Sequence, residues 1–572
     1  MRHVALCALL VGGMLVLAGA GATIHVMDER SGAPVEAFNI EDTSSTVIQG
    51  SSGEVRLPFS LSSRQVQVSA AGYRAATIQT PPIGDRRVAL EPLTTFISVQ
   101  ADDSGQPLNE ASLDVALAHQ RTGPGQFAVW PATGTELVVK APGYASRHVS
   151  ARDGEMTVRL SREPAAVLSN ALTGEPVRSA IVATGQDNVA PNASGVIAAG
   201  PVPEGDHWIL APGFDRERFS PGAGVQHIAM RPRVVRGLYL TIYAVADQRL
   251  RGNVDRLLSE TEANAVVIDV KGDRGDLSYK SAVPLAEAIG ASSAPTIPDI
   301  QGLLEAYRQR GIYTIGRIVV FKDDRLARNG ANIGVDVAVR DARSGNLWVD
   351  GEGLAWVDPF RSEAWDYNVA LAEEAARIGF DEVQFDYVRF PTDPSRGGSI
   401  SAAQYSAEVT PDSRVAAIAE LLRRAGGAVH QHGAYLGIDT FGYTAWDDGD
   451  LGIGQALEYL APNVDYICPM VYPSTFAAGL PGLLNFPAVV GEPYRTVNES
   501  VKRAVAKMDG QRTLIRPWLQ YFDDYPWQTR RRYDSAEIRA QIRAADEAGG
   551  AGWMLWDPSN RFERGGLLAR VQ

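Results

Sequence analysis

From Arg233 to the end of the 572-residue chain, apolar runs of strand length alternate with amphipathic stretches of helix length. That rhythm marks βα units and a parallel sheet. Eight strand-like runs can be counted: Val235–Ala244, Asn264–Gly272, Tyr313–Phe321, Asp381–Pro391, Ala434–Tyr443, Val464–Ser474, Thr513–Phe522 and Gly549–Asp557. Helical patterns lie between them, at Ile300–Arg310, Ser362–Ile378, Arg414–His432, Val497–Met508 and Ser535–Ala548. Eight strands close a (β/α)8 barrel, and residues 233–572 are long enough for one with insertions. A doubly wound open sheet is the competing arrangement. The first run, however, leads into Tyr243-Ala-Val-Ala-Asp247, which lacks the glycine-rich phosphate turn of such sheets.

Upstream the grammar differs. Residues 23–232 repeat three times with a period near 70 residues. The turns SGAPV, SGQPL and TGEPV place Pro34, Pro107 and Pro176 in matching positions, and AAGY, APGY and APGF do the same for Gly72, Gly143 and Gly213. Each unit closes on an alternating strand: RRVALEP, MTVRLSREP and QHIAMRP. Short alternating strands punctuated by Gly and Pro predict three small all-β sandwich modules, 23–92, 93–162 and 163–232, ahead of the α/β barrel at 233–572. Their pattern resembles the carboxypeptidase-regulatory-like sandwich, whose modules serve mainly as spacers or folding partners.

Residues 1–22 read as an export signal: Arg2 and His3, an apolar run Val4–Leu17, then Ala18, Ala20 and Ala22 as small residues for cleavage. The expected destination is periplasmic or extracellular, with no membrane attachment once the signal is removed. Only Cys468 would then remain of the two cysteines, so the fold must hold without an internal disulfide. A formal charge of −13 argues against a nucleic-acid partner and is neutral towards sugars.

In a barrel of this kind the site is built at the carboxyl ends of the strands. Read in order, those ends carry Tyr243 on the first, Asp269, Lys271 and Asp273 on the second, and Arg317 and Lys322 on the third. The fourth, FDEVQFDYVRFP, buries Asp386 in an apolar run and adds Arg389; the fifth, YLGIDTFGY, repeats the interruption with Asp439. Met470 and Tyr472 follow on the sixth, Arg516, Trp518 and Gln520 on the seventh, and Trp556 and Asp557 on the eighth. A carboxylate inside a dry strand is costly unless paired or employed. Two of them facing one hollow from adjacent strands are what glycosidic-bond cleavage needs, one as proton donor and one to attack the sugar or activate water.

Blander readings stand beside these. Asp386 could pair with Arg317 or Arg389, Asp269 with Lys271, and Arg516 with an interior acid. The acidic runs Asp447–Asp450 and Asp523–Asp524 lack calcium-loop spacing and read as solvated loop charge. His430 and His432 lack zinc-site spacing.

The motifs VRGLYLT, VVIDVKGDRGDLSY, RIVVFKD, LAWVDPF, GFDEVQFDYVRFP, DTFG, PMVYPS, IRPWLQ and LWDPSN together resemble a bacterial family of glycosyl hydrolase barrels, across residues 234–563. The resemblance implies kinship with retaining α-glycosidase-like barrels, in which the nucleophile ends the fourth strand. That role maps onto Asp386, and the acid/base onto Asp439. The expectation is therefore an exported hydrolase of a poly- or oligosaccharide that needs no cofactor or metal. Asp386 and Asp439 would be catalytic, and Tyr243, Asp269, Lys271, Arg317, Arg389, Tyr472, Gln520, Trp556 and Asp557 would contact substrate. Two rivals remain: a metal-dependent polysaccharide deacetylase using Asp269, Asp273 or Asp386, and an envelope glycan-binding protein without activity.

Overall fold

The computed structural model describes residues 21–570 apart from 103, 186–187, 199–201, 204, 222–224 and 393–397. The expected signal lies outside the described residues except for Gly21 and Ala22, which open the first strand, Gly21–Asp28. The chain divides into two compact units, one running to Pro164 with Ala198–Gly200, the other comprising Ala165–Ile197 and Pro201–Gln572. An all-β region thus precedes a parallel eight-stranded barrel.

The β repeats share one topology. Gly21–Asp28 pairs in parallel with Gly84–Leu90, Thr95–Ala101 with Gly154–Leu160, and Pro164–Asn170 with Gln226–Met230. The matching prolines bridge matching strands (Met27 with Pro34, Gln100 with Pro107, Ser169 with Pro176). Gly32, Gly105 and Gly174 of these turns, like Gly72, Gly143 and Gly213 of the later ones, all have positive φ, which is why glycine recurs there. The first repeat forms one seven-stranded sheet, while the second and third each divide into two smaller sheets. The first two repeats enclose separate apolar cores.

Ile181, Ala183 and Leu210 of the third repeat belong instead to the barrel's core. The Ala211–Phe214 turn seats on the amino-terminal foot of the barrel. There the Tyr435 hydroxyl donates to the Ala211 and Phe214 carbonyls, and the Gly213 N–H donates to the Tyr466 hydroxyl at 2.9 Å. Arg216 reaches the Asp381 carboxylate at 3.0 Å, and Arg512 links the Ser179 carbonyl to buried Asp465.

The eight barrel strands are Val235–Leu240, Ala265–Lys271, Tyr313–Val319, Glu382–Asp386, Tyr435–Phe441, Tyr466–Met470, the split strand Leu514–Ile515 and Trp518–Gln520, and Gly552–Trp556. They pair in parallel in that order, and the eighth returns to the first. The helices Ser362–Ile378, Pro411–His430, Pro493–Lys507 and Ser535–Glu547 pack outside, close to the positions expected from periodicity. Among the described residues no helix is long and apolar enough to cross a membrane.

The barrel interior is layered, as inward side chains of alternate residues dictate. On the fourth strand, Glu382, Gln384 and Asp386 form one inward column. At the foot, Glu382 pairs with Arg516 and accepts from the Tyr313 hydroxyl, all three buried. The interior ion-pair reading of Arg516 is the one realised. In the middle, Gln384 reaches Cys468 Sγ at 3.1 Å. Gly437, opposite Gln384, makes room for this column: a Cβ there would stand 2.8 Å from Glu382 Oε1. Asp386 tops it.

Candidate active site

The fourth strand stops at Asp386 because Tyr387 takes a left-handed backbone, φ 50°, that a bulky residue adopts only under constraint. The turn swings the Tyr387 N–H back onto Asp386 Oδ1 at 2.6 Å. It also breaks the expected alternation: Tyr387, which strand geometry would send to the opposite face, shares a cavity wall with Asp386.

Asp439 stands in the inward column of the adjacent fifth strand, one place before Phe441, and both carboxylates meet Arg317 from the third. The Arg317 guanidinium donates to Asp386 Oδ2 through Nε (3.1 Å) and Nη2 (2.5 Å), and to Asp269 Oδ1 through Nη1 (2.7 Å). Its Nε lies 3.8 Å from Asp439 Oδ2. Sharing that nitrogen keeps the nearest oxygens of Asp386 and Asp439 no more than about 7 Å apart.

One buried cation thus serves three buried carboxylates, and all three cannot ionise cheaply. Asp269 takes donors from Arg317, the Tyr239 hydroxyl (2.7 Å) and the Ile242 N–H (3.3 Å). Asp386 takes three from Arg317 and Tyr387. Among the described residues the Asp439 carboxyl has one hydrogen-bond donor, the Trp518 indole N–H, at 2.6 Å from Oδ1. Burial first, and then the Asp386 charge, push the Asp439 carboxyl well above the usual carboxylate range. Burial also raises Asp269, opposed by its own donors. The donor sets therefore assign the proton to Asp439. An indole only donates, so Oδ1 accepts from it.

Above the pair opens a cavity of about 470 Å³, within the range of small-molecule sites. Arg317, Arg389, Tyr472 and Trp556 line it with Asp386 and Asp439, as does Trp518. Trp556 stacks on Tyr239 at 4.0 Å and meets Trp518 edge-on at 5.5 Å, making a rigid aromatic floor. Arg389 is held over the rings of Trp356, Tyr387 and Phe441.

Five residues expected to contact substrate lie off this wall. Tyr243 is exposed on a turn, because the first strand ends at Leu240 and the Thr241 carbonyl and hydroxyl redirect the chain. Asp269 sits behind Arg317. Lys271 faces outward, since an irregularity in the ladder between Asp269 and Lys271 reverses its side; it pairs with Asp323 and Asn368, both at 2.7 Å, and not with Asp269. Gln520 binds Ser474 through its N–H and hydroxyl, tying the sixth loop to the seventh strand. Asp557 accepts the N–H groups of Ser559 and Arg561, closing the turn after the eighth strand.

The acidic runs are not merely solvated either. Asp450 is buried and paired with Arg414 at 2.6 Å, and Asp524 is buried against Thr529. The deacetylase ligands are not gathered: Asp273 faces Lys322, while Asp269 and Asp386 are held by Arg317. Among the described residues no group of three or more His, Cys, Asp or Glu could hold a metal ion. Missed by sequence reasoning were the wall residues Phe441, Tyr443, Phe476, Phe522 and Tyr525. Most stand in loops, where no periodicity marks an inward face.

A barrel with acidic side chains at the carboxyl ends of its strands and an aromatic-walled hollow above them is a TIM-barrel architecture that glycoside hydrolases use. The chain belongs to the family described as "Putative glycosyl hydrolase domain", which matches residues 237–562. No curated protein matches it in sequence. Among solved structures it is similar to a hypothetical protein from Ruminiclostridium thermocellum ATCC 27405 (32% identity over 35% of this chain and 96% of that one, TM-score 0.30). It is also similar to the PgaB (BpsB) glycoside hydrolase domain from Bordetella bronchiseptica (14% identity, 57% and 95% coverage, TM-score 0.41). The catalytic domain of β-amylase from Paenibacillus polymyxa is a third likeness (11% identity, 58% and 94% coverage, TM-score 0.37).

Proposed function

We propose that the protein is an exported hydrolase that cleaves a poly- or oligosaccharide, with Asp386 as nucleophile and Asp439 as general acid/base. The observation that carries this reading is the unequal donor set of two acids on one cavity wall: Asp386 is held by Arg317 and the Tyr387 N–H, whereas Asp439 accepts from the Trp518 indole and is pushed upward by burial. Asp386 Oδ attacks the anomeric carbon while the proton of Asp439 passes to the departing glycosidic oxygen. The bond to that oxygen breaks, and a glycosyl ester forms on Asp386. Water then adds at the same carbon as the ester bond to Asp386 breaks and releases its carboxylate; the water gives one proton to Asp439, restoring both acids. Trp556, Trp518 and Tyr472 offer flat faces to a sugar ring, and Arg389 a donor to its hydroxyls. The same reading takes the three β repeats as successive sandwich modules and residues 1–22 as a cleaved signal; the charged start, apolar run and repeating turns support it.

The test is a screen of the full chain against bacterial exopolysaccharides and α-glucans, with Asp386→Asn as control. Reducing sugar should be released by wild type and not by the variant, and NMR of the first product should show retained anomeric configuration. Release undiminished in Asp386→Asn would overturn the assignment.

A further inference from the structure

The loop after the seventh strand carries a tryptophan that the site above does not use. Trp527 is 77% exposed, far more than a large apolar side chain needs to be. A lone exposed ring would need no explanation. This one is the last member of a continuous aromatic series that begins inside the cavity. Tyr472 meets Phe522 edge-on at 5.7 Å, Phe522 meets Tyr525 at 5.8 Å, and Tyr525 stacks on Trp527 at 4.9 Å with only 4° between the planes. Tyr472, Phe522 and Tyr525 all line the cavity.

The loop is braced in a way that fixes this stack. Buried Asp524 accepts the Thr529 N–H at 2.7 Å and its hydroxyl at 2.5 Å, and the Asp524 N–H donates to the Arg531 carbonyl at 2.8 Å. Asp523 accepts the Tyr533 N–H at 2.8 Å, and the Tyr533 hydroxyl is anchored on the Val490 carbonyl at 3.0 Å. The two aspartates that read as solvated loop charge in the sequence thus hold a turn whose product is a presented indole face. One face of Trp527 lies on Tyr525, and the other is left to solvent.

We infer that Trp527 and Tyr525 form a sugar-stacking platform outside the catalytic cavity, and that the substrate is a polysaccharide chain extending past the cleaved bond onto it. The inference rests on the reading of Asp386 and Asp439 as a sugar-cleaving pair and deepens it by assigning a polymer. The C–H face of a pyranose is apolar while its rim is hydroxylated, which suits a rigid aromatic surface with water at its edges. A stack continuous with the cavity wall supplies that surface where a bound chain must emerge.

The experiment uses the full chain, with Trp527→Ala and Trp527→Phe. On the polymer that wild type cleaves, Trp527→Ala should raise KM by ~10-fold with kcat kept, and Trp527→Phe should lie between. On a nitrophenyl glycoside of the same sugar, which the cavity alone can hold, both variants should match wild type. An unchanged polymer KM, or equal losses on both substrates, would overturn the platform. If wild type cleaves nothing, the catalytic reading falls by itself. The platform is then decided by retardation of the Asp386→Asn chain in gels containing soluble starch, chitosan or alginate. Retardation abolished by Trp527→Ala sustains it; no retardation in any gel, or retardation that survives Trp527→Ala, ends it.

Discussion

The indole N–H of Trp518 meets Oδ1 of Asp439 across 2.6 Å, from two strands away around the barrel. A donor aimed at a carboxyl favours its charged form, so this contact restrains the upward push that burial and Asp386 exert. Trp518→Phe keeps the ring and removes the donor. The Asp439 pKa should rise further, and the alkaline limb of the kcat–pH profile should move to higher pH. With the Asp439 carboxyl no longer held in orientation by the indole, kcat should fall by ~10-fold or more. A limb that stays in place or moves to lower pH would separate Trp518 from the acid.

Asp439→Asn should abolish turnover of substrates with poor leaving groups and yet stabilise the fold. The folded-state pKa of Asp439 is raised, so the folded protein holds a proton that the unfolded chain releases above its ordinary value near 4. Stability therefore falls as pH climbs from that value to the folded one, and the full penalty persists above it. The amide has no such penalty. At pH 7 to 8 the variant should exceed wild type by ~1 kcal/mol or more, and the gap should close on acidification. Thermal unfolding across pH measures it.

At the foot of the barrel, Glu382 and Arg516 are both without exposed surface. Glu382→Gln leaves Arg516 as a buried cation without its counter-charge, and should cost ~3–5 kcal/mol in denaturant unfolding. The double change Glu382→Gln with Arg516→Met should recover much of that loss, since a buried pair can be exchanged for apolar volume.

Tyr243→Ala should leave kcat and KM within about twofold of wild type, because the ring stands on an exposed turn off the cavity wall. Asp269→Asn, also off the wall, should reduce kcat without changing KM. It loosens Arg317, which holds Asp386, and touches no substrate. Steady-state kinetics on one polymer distinguishes the two.

The barrel was legible because a parallel strand buried on both faces leaves an apolar run, and eight such runs leave few alternatives. Asp386 and Asp439 stood out as charges in those runs. The inward column of Glu382, Gln384 and Asp386 follows from a period of two, though at the strand's start Glu382 looks like any polar residue of a turn. What alternation could not convey were its interruptions. The irregularity beside Lys271, the turn at Thr241 and the left-handed Tyr387 each change a side chain's direction without changing the hydropathy pattern. Asp557 and Gln520 stand off the cavity wall, which the sequence conceals for a related reason: at a strand end, an acid or amide that binds a loop's N–H groups looks the same in sequence as one that binds a ligand. Loop aromatics such as Phe476 and Tyr525 have no register from which to infer a face.

The docking of Ala211–Phe214 beneath Tyr435 and Tyr466 bears on how this molecule can be cut down for study. Those tyrosines stand on the fifth and sixth strands, and the fifth carries Asp439 at its other end. A fragment starting at Arg233 would uncover the base of the very staves whose tips must stay in register. A fragment starting by Ala165 keeps that footing, and is the shorter form in which chemistry at the rim can be fairly judged.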